Sequence, residues 1–131
     1  MKTSRRGQTL TEFALVLTAF LLITFGIIQV SRAIYSYTFV SNAARDATRY
    51  ASVNGSKSQN PVKSGDVQTF VKNESPGLDS SQLTVNTTWT PDNNPGSTVN
   101  VVVTYNFALF VPFFGQVTIP VGATSQMVIS Q

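Results

Sequence analysis

Carboxylates, amines, guanidinium groups, hydroxyls and phenols carry all the ionic and nucleophilic chemistry open to this chain, because it has no histidine and no cysteine. Zinc sites built on those residues, iron–sulfur clusters, disulfide frameworks and Cys or His nucleophile–base pairs are excluded. No phosphate loop, no GxSxG and no carboxylate pair at useful spacing occurs, so no catalytic residue, no metal ligand and no cofactor is expected. The densest chemical pattern lies at the N-terminus, in Arg5-Arg6-Gly7-Gln8-Thr9-Leu10-Thr11-Glu12. Basic residues precede a glycine. A carboxylate follows that glycine by five positions and directly precedes an apolar run. A Glu at the hydrocarbon edge of a membrane is costly unless something compensates it. A cut after Gly7 would give Gln8 a new α-ammonium. Residues 8 and 12 are four apart and share a helix face. Glu12 could then neutralise the ammonium of its own subunit or of a neighbour.

The element that must position these groups is the run from Phe13 to Ser31, which carries no charge and is bracketed by Glu12 and Arg32. As a helix these residues rise ~28 Å, close to the ~30 Å hydrocarbon core of a bilayer. Lys2, Arg5 and Arg6 bias the N-terminus to the cytoplasm and everything after Arg32 to the outside. A small-residue site for signal cleavage exists at Ser31-Arg32-Ala33. The helical pattern runs straight through it, so no cut is expected there.

The N-terminal layout resembles the class III signal of type IV pilins and pseudopilins. Further segments extend the likeness: Leu10-Thr11-Glu12-Phe13-Ala14-Leu15-Val16-Leu17, Phe25-Gly26-Ile27-Ile28, and Ser41-Asn42-Ala43-Ala44-Arg45-Asp46-Ala47-Thr48-Arg49-Tyr50-Ala51. Together they resemble the TadE-like family of tight-adherence (Flp-type) pilus proteins over roughly the first 52 residues. The resemblance implies a non-enzymatic minor pilin or pseudopilin with a processing site at Gly7 and Gln8. Its partners would be a prepilin peptidase, other pilin-like subunits and an inner-membrane assembly platform. It implies a single-pass protein of the inner membrane with its head outside, or a subunit of a surface pilus. Thr18 stands where many members have Pro, a residue that bends helices. The alternative, from another class, is an uncleaved single-pass envelope protein whose head binds a partner or a surface ligand.

Beyond Arg32 the helix is expected to continue. Ala33, Tyr37, Val40, Ala44, Ala47 and Ala51 recur at spacings of three and four, and Asn54-Gly55 stops the pattern. Either the protein's own sheet or a helix of another subunit packs along this Ala-rich stripe. Residues 66–73 read as a short helix with Val67, Phe70 and Val71 inward, capped by Ser64 or Asp66. The period then changes to two. Residues 83–90, 99–107 and 117–130 read as three strands, the last interrupted near Pro120 and Gly122, with Pro120 marking an edge or a bulge. Short connections favour an antiparallel meander. The expected fold class is α+β: a long transmembrane and stem helix packed on a small antiparallel sheet. The expected division is a leader at 1–7, the helix at 8–54 and an extracytoplasmic head at 55–131. Phe107 to Phe114 is unusually apolar for a strand junction. It reads as core filling, or as a subunit or membrane-surface contact through Phe110, Phe113 and Phe114.

Charge supports the same organisation. Nine Lys and Arg against six Asp and Glu leave +3, and three of those bases precede residue 7, so the remainder balances at six against six. No nucleic-acid partner is expected, since that requires clustered bases on one surface. Charged residues make up 11% of the chain, against ~25% in ordinary soluble domains. After Asp79 only Asp92 is charged. So neutral a C-terminal half favours association.

Overall fold

A computed structural model describes residues 4–130, with helix side chains from Gly7 onward. Of the expected leader, residues 1–3, including Lys2, and the side chains of Arg5 and Arg6 lie outside the described residues. The elements in chain order are α1 (Ser4–Val53), α2 (Ser64–Asn73), a 3₁₀ turn (Ser80–Gln82), β1 (Leu83–Thr90), β2 (Thr98–Val111) and β3 (Gly115–Val128). The fold is α+β. The chain divides into two compact units, residues 1–33 and 34–131.

The first unit is helical throughout its described residues. Leu10, Phe13, Leu15, Phe20 and Ile23 are 63–73% exposed and lie on all sides of the helix. A helix apolar all round is stable only when lipid or protein covers it. Its hydroxyls turn back onto the helix itself. Thr11 donates to the carbonyls of Gly7 and Gln8, Thr18 to Ala14, Thr24 to Phe20 and Ser31 to Ile27. Polar groups satisfied within the helix carry little penalty in hydrocarbon. α1 runs through Thr18 without a break in its helical assignment.

In the second unit the C-terminal part of α1 packs through small residues. Ser36, Val40, Ala44, Ala47, Thr48, Ala51 and Ser52 are buried. Tyr37 departs from the expected stripe and is exposed; Ser36, one position earlier, completes the spacing of four. The contact surface selects small side chains over apolar ones, so a hydrophobicity pattern put the phase one residue late at this point. Thr48 donates to the Ser125 carbonyl at 3.3 Å, and Ser52 places its hydroxyl against the Met127 sulfur at 3.3 Å. The protein's own β3 thus takes the stripe.

The last carbonyls of a helix lack partners within it. Here the Asn54 backbone and side-chain nitrogens both donate to the Tyr50 carbonyl, and the Ser130 N–H donates to that of Ser52. α1 accordingly ends at Val53, at the Asn54-Gly55 signal. In α2, Val67 and Val71 are buried and Phe70 stacks on Tyr50 with ring centroids 4.6 Å apart. Asp66 caps it, accepting from the Lys63 N–H at 2.8 Å.

The sheet is an antiparallel meander in the order β1-β2-β3. β2 is central and alternates strictly: Val99, Val101, Val103, Tyr105 and Phe107 are buried. On β1, Leu83, Val85 and Thr87 share that face. A one-residue slip would turn this whole set to solvent, which fixes the register. β3 is continuous and not interrupted. Its pairing with β2 runs unbroken from Thr98↔Val128 to Val111↔Gly115. Pro120 and Gly122 are tolerated because β3 is an edge strand, where a missing N–H costs no second ladder.

The connection between β1 and β2 is organised by one carboxylate. Asp92 accepts from the Asn94 N–H at 3.0 Å and from the Ser97 hydroxyl at 2.6 Å. The Ser97 hydroxyl, with the Asn94 groups, holds its carboxyl below the usual aspartate range. A depressed folded-state value stabilises the fold above the unfolded pKa of ~3.9, and that stability is lost as pH falls through the lower folded value. Asp92→Asn should therefore reduce acid destabilisation below about pH 4 while leaving the neutral-pH profile flat. Unfolding midpoints of the full chain in detergent across that range check this. Identical acid profiles for both chains would contradict it. Asp79, lowered by its bonds to the Ser81 hydroxyl and N–H, supplies a residual slope in the variant.

Candidate processing and assembly site

Gly7, Gln8 and Glu12 lie within the first unit; Phe110, Phe113 and Phe114 lie within the second. The first three lie within about one and a half turns of α1. Gly7 and Gln8 are already helical, and both carbonyls accept from the Thr11 hydroxyl, at 3.1 and 2.8 Å. Helical spacing puts Gln8 and Glu12 on one face. All three are exposed. Among the described residues, Glu12 has no ion-pair partner. A Cβ added at Gly7 would meet no atom within 4 Å, so nothing in the fold requires glycine there.

This geometry has one chemical capacity. It presents an exposed Gly7–Gln8 peptide in the first turns of α1 and a carboxylate about one turn further on. Among the described residues no three of Asp, Glu, His or Cys gather as metal ligands would. Residues 7–49 match the family model of TadE-like protein. The TadE-like segment opens at the glycine before the expected cut and closes at Arg49, so it contains the apolar helix and most of the stem. It is the segment that associates this chain with tight-adherence pili. The sheet lies beyond the match. No curated protein and no solved structure matches the chain.

The sheet carries the second group of residues. The expected apolar segment divides in two: Phe107 fills the core at 3% exposure, whereas Phe110 is 53%, Phe113 99% and Phe114 86% exposed. The last two sit at the β2–β3 turn. The Phe114 N–H donates to the Val111 carbonyl at 3.1 Å, closing a four-residue turn with Pro112 and Phe113 in the middle. Phe113 has φ +72°. A turn with Pro at its first central position and a positive φ at its second is type II, and Gly or Asn is the usual resident there. A bulky residue in that backbone region costs ~1–2 kcal/mol. Sequence reading missed this strain. Its signal was Pro112 followed by a position where glycine was due and phenylalanine stood.

One cleft of about 290 Å³ lies between α1 and α2, lined by Tyr35, Asn42, Asp46, Phe70 and Glu74 among others. The Tyr35 hydroxyl donates across it to the Pro76 carbonyl at 2.7 Å. Its volume is at the low end for small-molecule sites, ~300–1,000 Å³. Asp46 and Glu74 give it carboxylates, and its phenol, Tyr35, is engaged with the Pro76 carbonyl.

Proposed function

We propose that this chain is a pilin-like subunit, a minor pilin or pseudopilin, of a tight-adherence pilus system. The observation that carries the reading is a coincidence of position. The TadE-like match begins at Gly7, the residue that opens the Gly7–Glu12 spacing, and it takes in the whole exposed apolar run from Phe13 to Ser31. In this reading the helix holds the precursor in the inner membrane with the N-terminus inside and the sheet-bearing unit outside. A prepilin peptidase cuts after Gly7 and removes the basic leader. The helix, now starting at Gln8, moves from the assembly platform into a filament or its base. The head makes the subunit larger than a major Flp pilin, which is little more than the helix, and this favours a minor role. The chain acts as a structural part and not as a catalyst.

Glu12 supplies the register. A carboxylate facing hydrocarbon is compensated by the Gln8 ammonium of its own subunit or of the next one. Glu12→Gln keeps the size and removes the charge. Insertion and cleavage should persist, and co-recovery with other pilus subunits after crosslinking should fall. If Glu12 is merely an acidic residue near a helix start, worth ~0.3–1 kcal/mol, the variant assembles as well as the unmodified chain. Equal recovery would reject the pairing role.

A further inference from the structure

The turn between β2 and β3 places two nearly fully exposed phenylalanines on a strained backbone, in a hairpin that carries no charge. We infer that this tip, Phe113 and Phe114, docks into the lipid headgroup–acyl interface of the membrane that holds the chain's own apolar helix. The inference rests on the membrane-anchored reading above.

Position comes first. Within the second unit, hydrogen bonds fix where β3 lies along the stem: Thr48 meets Ser125, and Ser52 meets Met127 and Ser130. As the helix advances from 48 to 52 the strand advances from 125 to 130, so the two run in the same direction. Going back along the strand therefore leads toward Ile34. Ten residues of strand separate Ser125 from Gly115, ~34 Å at full extension. Fourteen residues of helix separate Thr48 from Ile34, ~21 Å. At full extension the strand is long enough to bring the hairpin to the level of Ile34. Ile34 follows Arg32, the residue that closes the apolar run, by two positions. Within the second unit the tip therefore lies toward the Ile34 end of the stem.

Chemistry comes second. Residues 98–130 contain no Asp, Glu, Lys or Arg. A tip without charge avoids the large cost of taking an ionised side chain into an interface of low dielectric. Aromatic side chains favour that zone. The residues that would shield Phe113 and Phe114 within the fold are absent, at 99% and 86% exposure. Glycine at 113 would relieve the backbone, so the phenylalanine there is explained by what it contacts outside the fold. The occupant is lipid rather than a second copy because the tip is tethered. Anchoring through α1 holds it beside a bilayer at high effective concentration, whereas a second copy must arrive by diffusion. The absence of charge further implies that docking is indifferent to the lipid headgroup's sign.

The lack of cysteine allows a single-site label. Gln116→Cys, beside the tip and exposed, takes a nitroxide on the full chain in vesicles of phosphatidylethanolamine and phosphatidylglycerol. Flotation confirms insertion. The label should be reached by dissolved oxygen in preference to a water-soluble nickel chelate, equally in phosphatidylcholine vesicles. Adding Phe113→Gly with Phe114→Ser suits the turn and removes both rings; oxygen preference should then be lost, while circular dichroism and flotation stay unchanged. A label that the nickel chelate reaches equally in both backgrounds overturns docking. Protection that appears only at high protein density, with dipolar broadening between labels, assigns the tip to a second copy and also overturns it. A chain that fails to float overturns the anchored reading and this one with it.

Discussion

Gly7→Trp should leave the chain at its full length in cells that carry a matching prepilin peptidase, while the unmodified chain is shortened by seven residues. The expected loss of cleavage is essentially complete, because a bulky side chain at the residue before the cut blocks the peptide from the enzyme. The structure removes the usual ambiguity of such a variant. Gly7 is exposed and helical, and a side chain there meets no atom of the fold. Glycine in a helix is ~1 kcal/mol worse than a good helix former, so substitution does not weaken α1. A variant that still inserts but stays uncut therefore reports recognition, not misfolding. Gel mobility and intact mass of the membrane fraction give the answer. Cleavage of Gly7→Trp at the normal rate would refute the assigned processing site.

The second large effect concerns the stem. Ala47→Leu should lower the stability of the second unit by ~1–3 kcal/mol, the usual cost of forcing extra methylenes into a filled contact. Ala44, Ala47 and Ala51 are 0–1% exposed. Thr48, the next residue, and Ser52, about one turn beyond it, hold hydrogen bonds to β3. A leucine at 47 finds no free space in that buried contact and must displace what packs on it. Urea unfolding in detergent, followed through the single tryptophan, Trp89, measures the change. Val53→Leu, at an exposed position of the same helix, is the control and should be neutral. Equal midpoints for Ala47→Leu and the unmodified chain would show that the stripe serves another helix and not the sheet.

What could be read beforehand follows the strength of local signals. Alternation with period two is unambiguous from Val99 to Phe107, and each of those odd-numbered residues is buried. The end of α1 was legible because Asn54-Gly55 carries its own capping chemistry. The stripe was legible at Val40, Ala44, Ala47 and Ala51 but not at Tyr37. Which stem residues are buried depends on contacts distant in sequence, such as the Thr48–Ser125 bond across 77 residues. The continuity of β3 through Pro120 was hidden for a related reason. Whether proline breaks a strand depends on whether it stands at an edge, and edges are set by the whole sheet. The Gly7–Glu12 pattern stood out because it is local, all within about one and a half turns of helix. The tip was half readable: the aromatic cluster announced itself, whereas the division between a buried Phe107 and an exposed Phe113 required the register of β2 against β3.

The intact mass of the chain, recovered both from membranes and from sheared surface material, tests the central claim most directly. The account predicts a species beginning at Gln8, 124 residues long (131 − 7), with or without a methyl group on the new ammonium, in the assembled fraction. A chain that retains Met1 in that fraction would contradict processing after Gly7 and would favour an uncleaved envelope protein whose head binds a partner.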